Sequence, residues 1–71
     1  MQYREFGKFI KEKRQKLGFS LNSFAFKNDI DPAILSRIEN CKQDIKLNVL
    51  NKIAQGFEMK NYELLKEFEN K

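Results

Sequence analysis

Few side chains in this 71-residue chain are of the types that carry catalysis or bind a metal. The chain has no histidine, and its single cysteine, Cys41, cannot form an internal disulfide. The carboxylates are scattered, and no nucleophile–base pair, metal-ligand spacing or glycine-rich phosphate loop is present. We therefore expect a protein that is not an enzyme and has no cofactor. A redox role for Cys41, which stands next to Lys42, stays open.

Positive charge is the remaining chemical feature, and its excess lies in the first segment of the chain. The net charge is +4. Residues 1–19 hold two acidic side chains, Glu5 and Glu12, against six basic ones: Arg4, Lys8, Lys11, Lys13, Arg14 and Lys16. The rest of the chain holds eight residues of each sign. Such a patch favours a polyanionic partner, although a solvated helix face would have the same composition.

Three short helices are predicted in the first half of the chain. The first, over residues 3–17, has apolar residues at helical spacing: Tyr3, Phe6, Ile10 and Leu17. Gly18 ends it, and Ser20 caps a second helix that runs to about Lys27. Asp31 caps a third helix, in which Pro32 occupies the first position, where its missing N–H costs nothing.

Two further helices are predicted in the second half. A fourth helix is expected over residues 46–56, with four side chains facing inward: Leu47, Leu50, Ile53 and Ala54. A last helix has one apolar face formed by Tyr62, Leu65 and Phe68. Because no segment alternates like a strand, the expected fold is all-α, a bundle of five short helices in a single domain over residues 1–71.

The second and third predicted helices, joined by a turn of three or four residues, describe a helix-turn-helix. The stretch GFSLNSFAFKNDIDPAILSRIENCK resembles the lambda-repressor-like helix-turn-helix family, the Cro and phage-repressor type also called XRE. The matching positions are Gly18, Phe19, Ser20, Phe24, Ala25, Ile30, Leu35, Ser36, Ile38 and Glu39. The later stretches LNVLNKIAQGF and YELL are similar to the fourth and fifth helices of the family. The resemblance implies sequence-specific binding of double-stranded DNA by a transcription regulator, of repressor type, with the third helix in the major groove.

Three positions depart from the pattern of the resembled family. Leu21 replaces the polar residue that is common at the start of the second helix, which removes one expected phosphate contact. Asp29 replaces the turn glycine, which is tolerable because aspartate reaches left-handed backbone more readily than most residues. Cys41 replaces the glycine that follows the Glu-x pair, so either Asn40 or Cys41 is expected to adopt the positive φ.

A structural ion pair is expected between Arg14 and Glu39. Both lie on the apolar sides of their helices, where an unpaired charge would carry a large desolvation cost. A bidentate pair would join the first helix to the third. In the resembled family an arginine and a glutamate at these places form such a pair.

The third helix supplies the candidates for contact with DNA bases. Arg37 lies opposite the inward residues of this helix, and its guanidinium suits guanine O6 and N7; a phosphate contact or a solvated charge are the alternatives. The resembled family reads bases from the first turn of this helix, where Pro32, Ala33 and Ile34 stand. None of the three can form a side-chain hydrogen bond, so they would contact thymine methyl groups, unless they only build the helix and the core.

Phosphate contacts are expected around the second and third helices. Asn22 and Ser23 stand near the start of the second helix, where free N–H groups favour an anion. The whole set of candidates is Asn22, Ser23, Lys27, Ser36, Asn40, Lys42 and Gln43. Asp29 and Asp31 oppose this interpretation unless their carboxylates are held as caps.

A homodimer is expected, because one recognition helix covers only a few base pairs. The apolar cluster that could form its symmetric contact comprises Phe57, Met59, Tyr62, Leu65 and Phe68, with core packing as the alternative role. Without a leader or a long apolar run, the protein is expected in the cytoplasm of a prokaryote or encoded by a phage, and not in a membrane. An antitoxin or accessory module that presents Pro32, Ala33 and Ile34 to a protein partner, and a nonspecific nucleoid-type binder, are the competing hypotheses.

Overall fold

Five α-helices form in the computed structural model, which describes residues 5–70. They are α1 (Phe6–Lys16), α2 (Leu21–Lys27), α3 (Pro32–Glu39), α4 (Leu47–Gly56) and α5 (Asn61–Glu69). Within this part of the chain there is no strand, and no helix is long and apolar enough to cross a membrane. The predicted all-α bundle of five short helices is therefore confirmed.

The hydrophobic core receives a completely buried side chain from every helix: Ile10, Phe24, Leu35, Ile53 and Leu64. Burying such a side chain stabilises the fold by roughly 1.5–3 kcal/mol before entropy is counted. Since none of the helices is longer than 11 residues, each depends on this shared core rather than on its own helix propensity.

Helices α1 and α5 are joined by an aromatic cluster. The ring of Phe68 lies edge-on to that of Phe6, with centroids 5.1 Å apart, and 5.4 Å from the ring of Phe9. On the same side of α1, the ammonium of Lys13 donates to Glu67 Oε1 at 2.8 Å. These contacts define the side of α1 that α5 covers.

The predicted first helix differs from α1 at both ends. Its predicted start includes Tyr3, which lies outside the described residues. Leu17, expected on the inward stripe, is exposed. The helix ends at Lys16, Leu17 is its C-cap, and Gly18 at φ +83° turns the chain away before Leu17 can reach the core.

The inward faces of α4 and α5 also need correction. Leu47, expected to face inward, is 73% exposed because it is the first residue of α4 and projects beyond the core. In α5 the buried residue is Leu64, which the prediction omitted, whereas Tyr62 is exposed and Leu65 and Phe68 are half-buried. Leu64 and Phe68 are four residues apart, so the core selected the i, i+4 stripe that passes through them.

Candidate nucleic-acid interface

Two local hydrogen bonds place α2 and α3 at the ends of a tight turn. Ser20 Oγ accepts from the backbone N–H of Ser23 at 3.1 Å and caps α2. Asp31 Oδ1 accepts from the backbone N–H of Ala33 at 2.9 Å and caps α3. Because the Asp31 carboxylate is held as a cap, its charge interacts with the helix dipole of α3.

The turn itself is closed by left-handed backbone at Asp29, whose φ is +57°. The N–H of Ile30 donates to the carbonyl oxygen of Ala25 at 2.8 Å and sends the chain back toward α3. From α4, Lys52 Nζ donates to the carbonyl oxygen of Asp29 at 2.9 Å and lies 3.6 Å from its Oδ2. Lys52 thus joins α4 to the turn and offsets the acidic charge of Asp29. Sequence reasoning missed this role, since nothing marks Lys52 among the basic residues of the chain.

A buried ion pair joins α1 to α3. Arg14 donates to Glu39 through Nε and Nη2, each at 2.8 Å, and both side chains are almost completely buried. Arg14 Nη1 also donates to the carbonyl oxygen of Phe19 at 2.7 Å, which ties in the connection to α2. The hydrogen bond with Glu39 raises the pKa of Arg14, against the opposing effect of burial. Both charges are therefore satisfied within the fold and are not available to a ligand.

Helices α1 and α3 approach each other closely at Gly7. A Cβ at this position would overlap the carbonyl oxygen of Ile38 and lie 3.3 Å from the Cα of Glu39. Only glycine allows this backbone-to-backbone contact. The sequence signal was a glycine inside a helical pattern, on the same face as Ile10 and Arg14, and the prediction did not use it.

The outer face of α3 carries one charged side chain among small and polar residues. Leu35, Ile38 and Glu39 are buried, whereas Ala33 and Arg37 are exposed on the other side of the helix. Among residues 5–70, Arg37 is the only arginine with an exposed side chain, since Arg14 is buried. This part of the structure thus presents one guanidinium, with its five N–H donors, from the last turn of α3.

The other residues predicted to contact bases are partly enclosed. Pro32 is half-buried at the first position of α3. Ile34 is half-buried and packs against the core, so only part of its side chain can reach a ligand. Ala33 is the one apolar residue of the three that is freely exposed.

Most residues predicted to contact phosphates lie near the two ends of the helix-turn-helix. Asn22 and Ser23 are exposed in the first turn of α2, where the Ser23 hydroxyl also bonds Ser20. Asn40, Lys42 and Gln43 follow α3, and Asn40 Nδ2 lies 3.4 Å from Ser36 Oγ.

Lys27 is placed apart from these residues. Its ammonium lies over the ring of Phe19, 4.9 Å from the centroid, in a groove that it shares with Gln55 and Glu58 near the end of α4. Of the predicted phosphate contacts, Lys27 thus has the least support from the structure.

The backbone shows which of Asn40 and Cys41 adopts the positive φ where the family pattern has a glycine. Cys41 adopts φ +59°, whereas Asn40 keeps a negative φ of −91° as the C-cap of α3. Cys41 therefore occupies the left-handed position that glycine would fill without strain. The prediction gave no positive φ to Glu58, which adopts φ +58° after α4.

Comparison with known protein families supports the assignment suggested by this geometry. The model of a helix-turn-helix family, of the XRE or lambda-repressor-like type, matches residues 10–64, which include α2, α3 and α4. Searches of curated proteins and of solved structures gave no match. A family match of this extent supports a DNA-binding role in transcription regulation, and the capped helices and the turn at Asp29 agree with it. The chain belongs to the XRE, or lambda-repressor-like, helix-turn-helix family.

Proposed function

We propose that the protein binds duplex DNA sequence-selectively as a transcriptional repressor, with α3 in the major groove. The observation that carries the proposal is the exposed guanidinium of Arg37 on the face of α3 opposite Leu35 and Ile38. Arginine donates two parallel hydrogen bonds to O6 and N7 of guanine, the commonest specific contact in the major groove. Residues 1–71 form one DNA-binding domain in this proposal, and the protein acts in the cytoplasm of a prokaryote or of a phage-infected cell.

Direct base reading is limited to a few side chains in this proposal. Arg37 reads a guanine, and Ala33 contacts a thymine methyl group, with smaller contributions from Pro32 and the accessible part of Ile34. The phosphate contacts come from the first turn of α2 and from the end of α3: Asn22, Ser23, Ser36, Asn40, Lys42 and Gln43, with Lys27 the least supported member. Such a surface depends more on shape and phosphates than on base edges.

Replacing Arg37 with alanine is expected to relax the preference for one G·C base pair. Losing a bidentate contact costs about 1–3 kcal/mol of discrimination at that position. The measurement is selection from a randomised duplex pool followed by sequencing of the retained DNA, with wild type and Arg37→Ala in parallel. Lys66→Ala removes an equal charge from α5 rather than from α3 and serves as the control.

Each outcome of this selection has a distinct meaning. An enriched motif that loses one G·C position in Arg37→Ala supports the proposal. Retention of DNA without any motif would instead indicate a nonspecific nucleoid-type binder. No retention at low salt would contradict DNA binding and favour a protein partner.

A homodimer is part of the proposal, because paired half-sites about one DNA turn, roughly 34 Å, apart raise both affinity and selectivity. Phe57 is buried and Phe68 packs on Phe6 and Phe9, so neither is free to form the symmetric contact. Leu65 instead lines a mainly apolar groove with Phe6, Ile45, Leu47 and Leu50, to which Asp44 adds one carboxylate. This groove, with the exposed Leu47 at its edge, is the surface that we assign to the second copy.

Leu47→Glu is expected to shift the protein from dimer to monomer. A carboxylate in an apolar contact carries a desolvation cost that the monomer avoids. Sedimentation velocity at micromolar to high micromolar concentration, with and without DNA, measures the change. Phe26→Glu is the matched control, since Phe26 is similarly exposed, at 71%, but lies on α2. A wild-type protein that sediments as a monomer under all these conditions would contradict the dimer.

Phe26 also supports the second candidate function, an antitoxin or accessory module that binds another protein. An exposed phenylalanine suits a protein interface better than a phosphate backbone. Ile34 was one of the residues expected to contact the protein partner. Because its side chain packs against the core, it supports this second function less than Phe26 does. The salt dependence of binding separates the two functions, because phosphate contacts release counterions and an apolar protein interface releases few.

A further inference from the structure

Within residues 5–70, one side of α1 is not covered by another helix, and its position follows from two fixed contacts. Gly7 touches the backbone of α3 at Ile38, and Arg14, two turns later, binds Glu39 of α3. These two residues define the line along which α1 meets α3. Successive residues of a helix rotate by about 100°, so Gly7 and Arg14 lie within about 20° of each other around α1.

The core occupies only one side of this line. Ile10, Phe6 and Phe9 follow one another around α1 in that direction and are buried, and α5 covers them through Phe68. On the other side of the line the residues are Lys11, about 40° from Gly7, then Gln15 at about 80° and Lys8 at about 100°. Lys8 and Gln15 are exposed and Lys11 is half-buried.

The line along which α3 meets α1 also divides α3 into a side that faces the core and an outer side. Glu39 contacts α1, and the buried Leu35 and Ile38 lie on the core side. Beyond Glu39 on the outer side, helical geometry places Ser36 at about 60° and Asn40 at about 100°, followed by Ala33 and Arg37. Since two helices in contact share one core side, their outer sides also adjoin. The strip Lys11–Gln15–Lys8 therefore continues the outer face of α3.

This strip would lie beside a DNA backbone if α3 enters the major groove. The groove is about 12 Å wide, and a helix with its side chains fills about 10–12 Å. Groups that flank the inserted helix therefore face the phosphates of the groove wall. Lys42 and Gln43, in the loop after α3, line a groove with Phe6, Gly7 and Asp44, which places this loop beside the first turn of α1.

Charge at the strip suits a phosphate. Among residues 5–70, neither Lys8 nor Lys11 has a salt-bridge partner. The acidic residues on this part of α1, Glu5 and Glu12, lie about 140–160° around the helix from Gly7, which is close to Lys8 and farther from Lys11. A third carboxylate, that of Asp44, lines the groove that Gly7 shares with Lys42 and Gln43. Glu39 is already neutralised by Arg14. Lys11 is thus the cation of the strip that is best placed to meet a polyanion.

We infer that the strip Lys11–Gln15–Lys8 of α1 is a second phosphate-binding surface, in which Lys11 anchors the DNA backbone beside the recognition helix. The inference rests on the proposed function. In it, α1 contributes to the affinity for DNA but not to the choice of base sequence. Lys11→Gln is expected to weaken binding about fivefold at physiological salt and to reduce the salt slope of log K by about 1 for each bound protomer. The preferred base sequence is expected to stay the same.

The test uses fluorescence anisotropy of the full chain with the duplex enriched by wild type, over a series of salt concentrations. Lys16→Gln is the matched control: it removes the same charge from the same helix, but Lys16 is turned about 180° from Gly7 and lines a groove with Lys13 and Glu67. Lys11→Arg keeps the charge and is expected to keep the salt slope. Circular dichroism melts confirm that each variant is folded.

Equal salt slopes for Lys11→Gln and Lys16→Gln, with wild type binding its motif, would overturn the inference and leave the proposed function standing. A changed base preference in Lys11→Gln would also overturn it, since a phosphate contact carries no sequence information. Failure of wild type to bind any duplex would reject the proposed function, and the role of Lys11 with it. A reduced slope in Lys11→Gln alone, with the motif retained, establishes the second surface.

Discussion

Arg14→Ala is expected to destabilise the fold by about 3–5 kcal/mol, because it leaves the buried carboxylate of Glu39 without its partner. Glu39 receives two donors from Arg14, and its side chain is only 2% exposed. The substitution also removes the bond to the Phe19 carbonyl oxygen that holds the α1–α2 connection. A small domain has roughly 5–15 kcal/mol of stability in total, so the variant loses a large fraction of it. Urea denaturation followed by circular dichroism measures the loss.

Two further variants test the physical reason for this loss. Replacing both partners by apolar residues, in Arg14→Met with Glu39→Leu, is expected to recover much of the stability, since no charge then remains buried. The exposed pair Lys13–Glu67 provides the contrast, and Lys13→Ala is expected to cost about 1 kcal/mol or less. If Arg14→Ala were no more destabilising than Lys13→Ala, the pair would not be a principal connection between α1 and α3.

Gly7→Ala is expected to destabilise the fold by about 3 kcal/mol, although alanine is the better helix former by about 1 kcal/mol. The new methyl group would overlap the carbonyl oxygen of Ile38, a backbone atom that cannot move without displacing α3. The change therefore forces apart the two helices that Arg14 and Glu39 hold together. Urea denaturation gives the loss of stability.

Gly18→Ala separates this steric effect from backbone strain. Gly18 has φ +83°, but nothing lies within 4 Å of the Cβ that alanine would add. Strain alone costs about 1–2 kcal/mol at such a position, so Gly18→Ala should be the milder substitution. A Gly7→Ala variant as stable as wild type would show that α1 and α3 can separate without cost. The position of the Lys11–Gln15–Lys8 strip beside α3 would then lose its basis.

The helices and the turn of the helix-turn-helix were predictable because their causes are local. Ser20 and Asp31 cap helices by bonding N–H groups two or three residues away, and Pro32 prefers the first position of a helix. Asp29 closes the turn with a backbone conformation that aspartate tolerates. Each of these interactions joins residues that are close in the chain, so the local sequence is enough to infer it.

The long-range contacts were harder to predict from the sequence than the local ones, with one exception. The pairing of Arg14 with Glu39 could be inferred across 25 residues because a charge on an apolar face needs a partner. Lys52 carries no comparable signal, since an exposed lysine is satisfied by water, and its bond to the Asp29 carbonyl oxygen emerges only from the docking of α4 against the turn. Leu64 and Leu65 are adjacent apolar residues, and packing of the core decided which one is buried.

The sequence alone determined that this protein has five amphipathic helices with a helix-turn-helix, and that one arginine stands on the outer side of α3, because helical periodicity is a property of neighbouring residues. The tertiary structure decided which outer surfaces adjoin. The contact between Gly7 and Ile38 sets how α1 lies on α3, and from it we infer that Lys11 faces the side of Ser36 and Asn40 rather than α5. Such placement depends on the packing of backbone atoms that are distant in the chain, which no local pattern encodes.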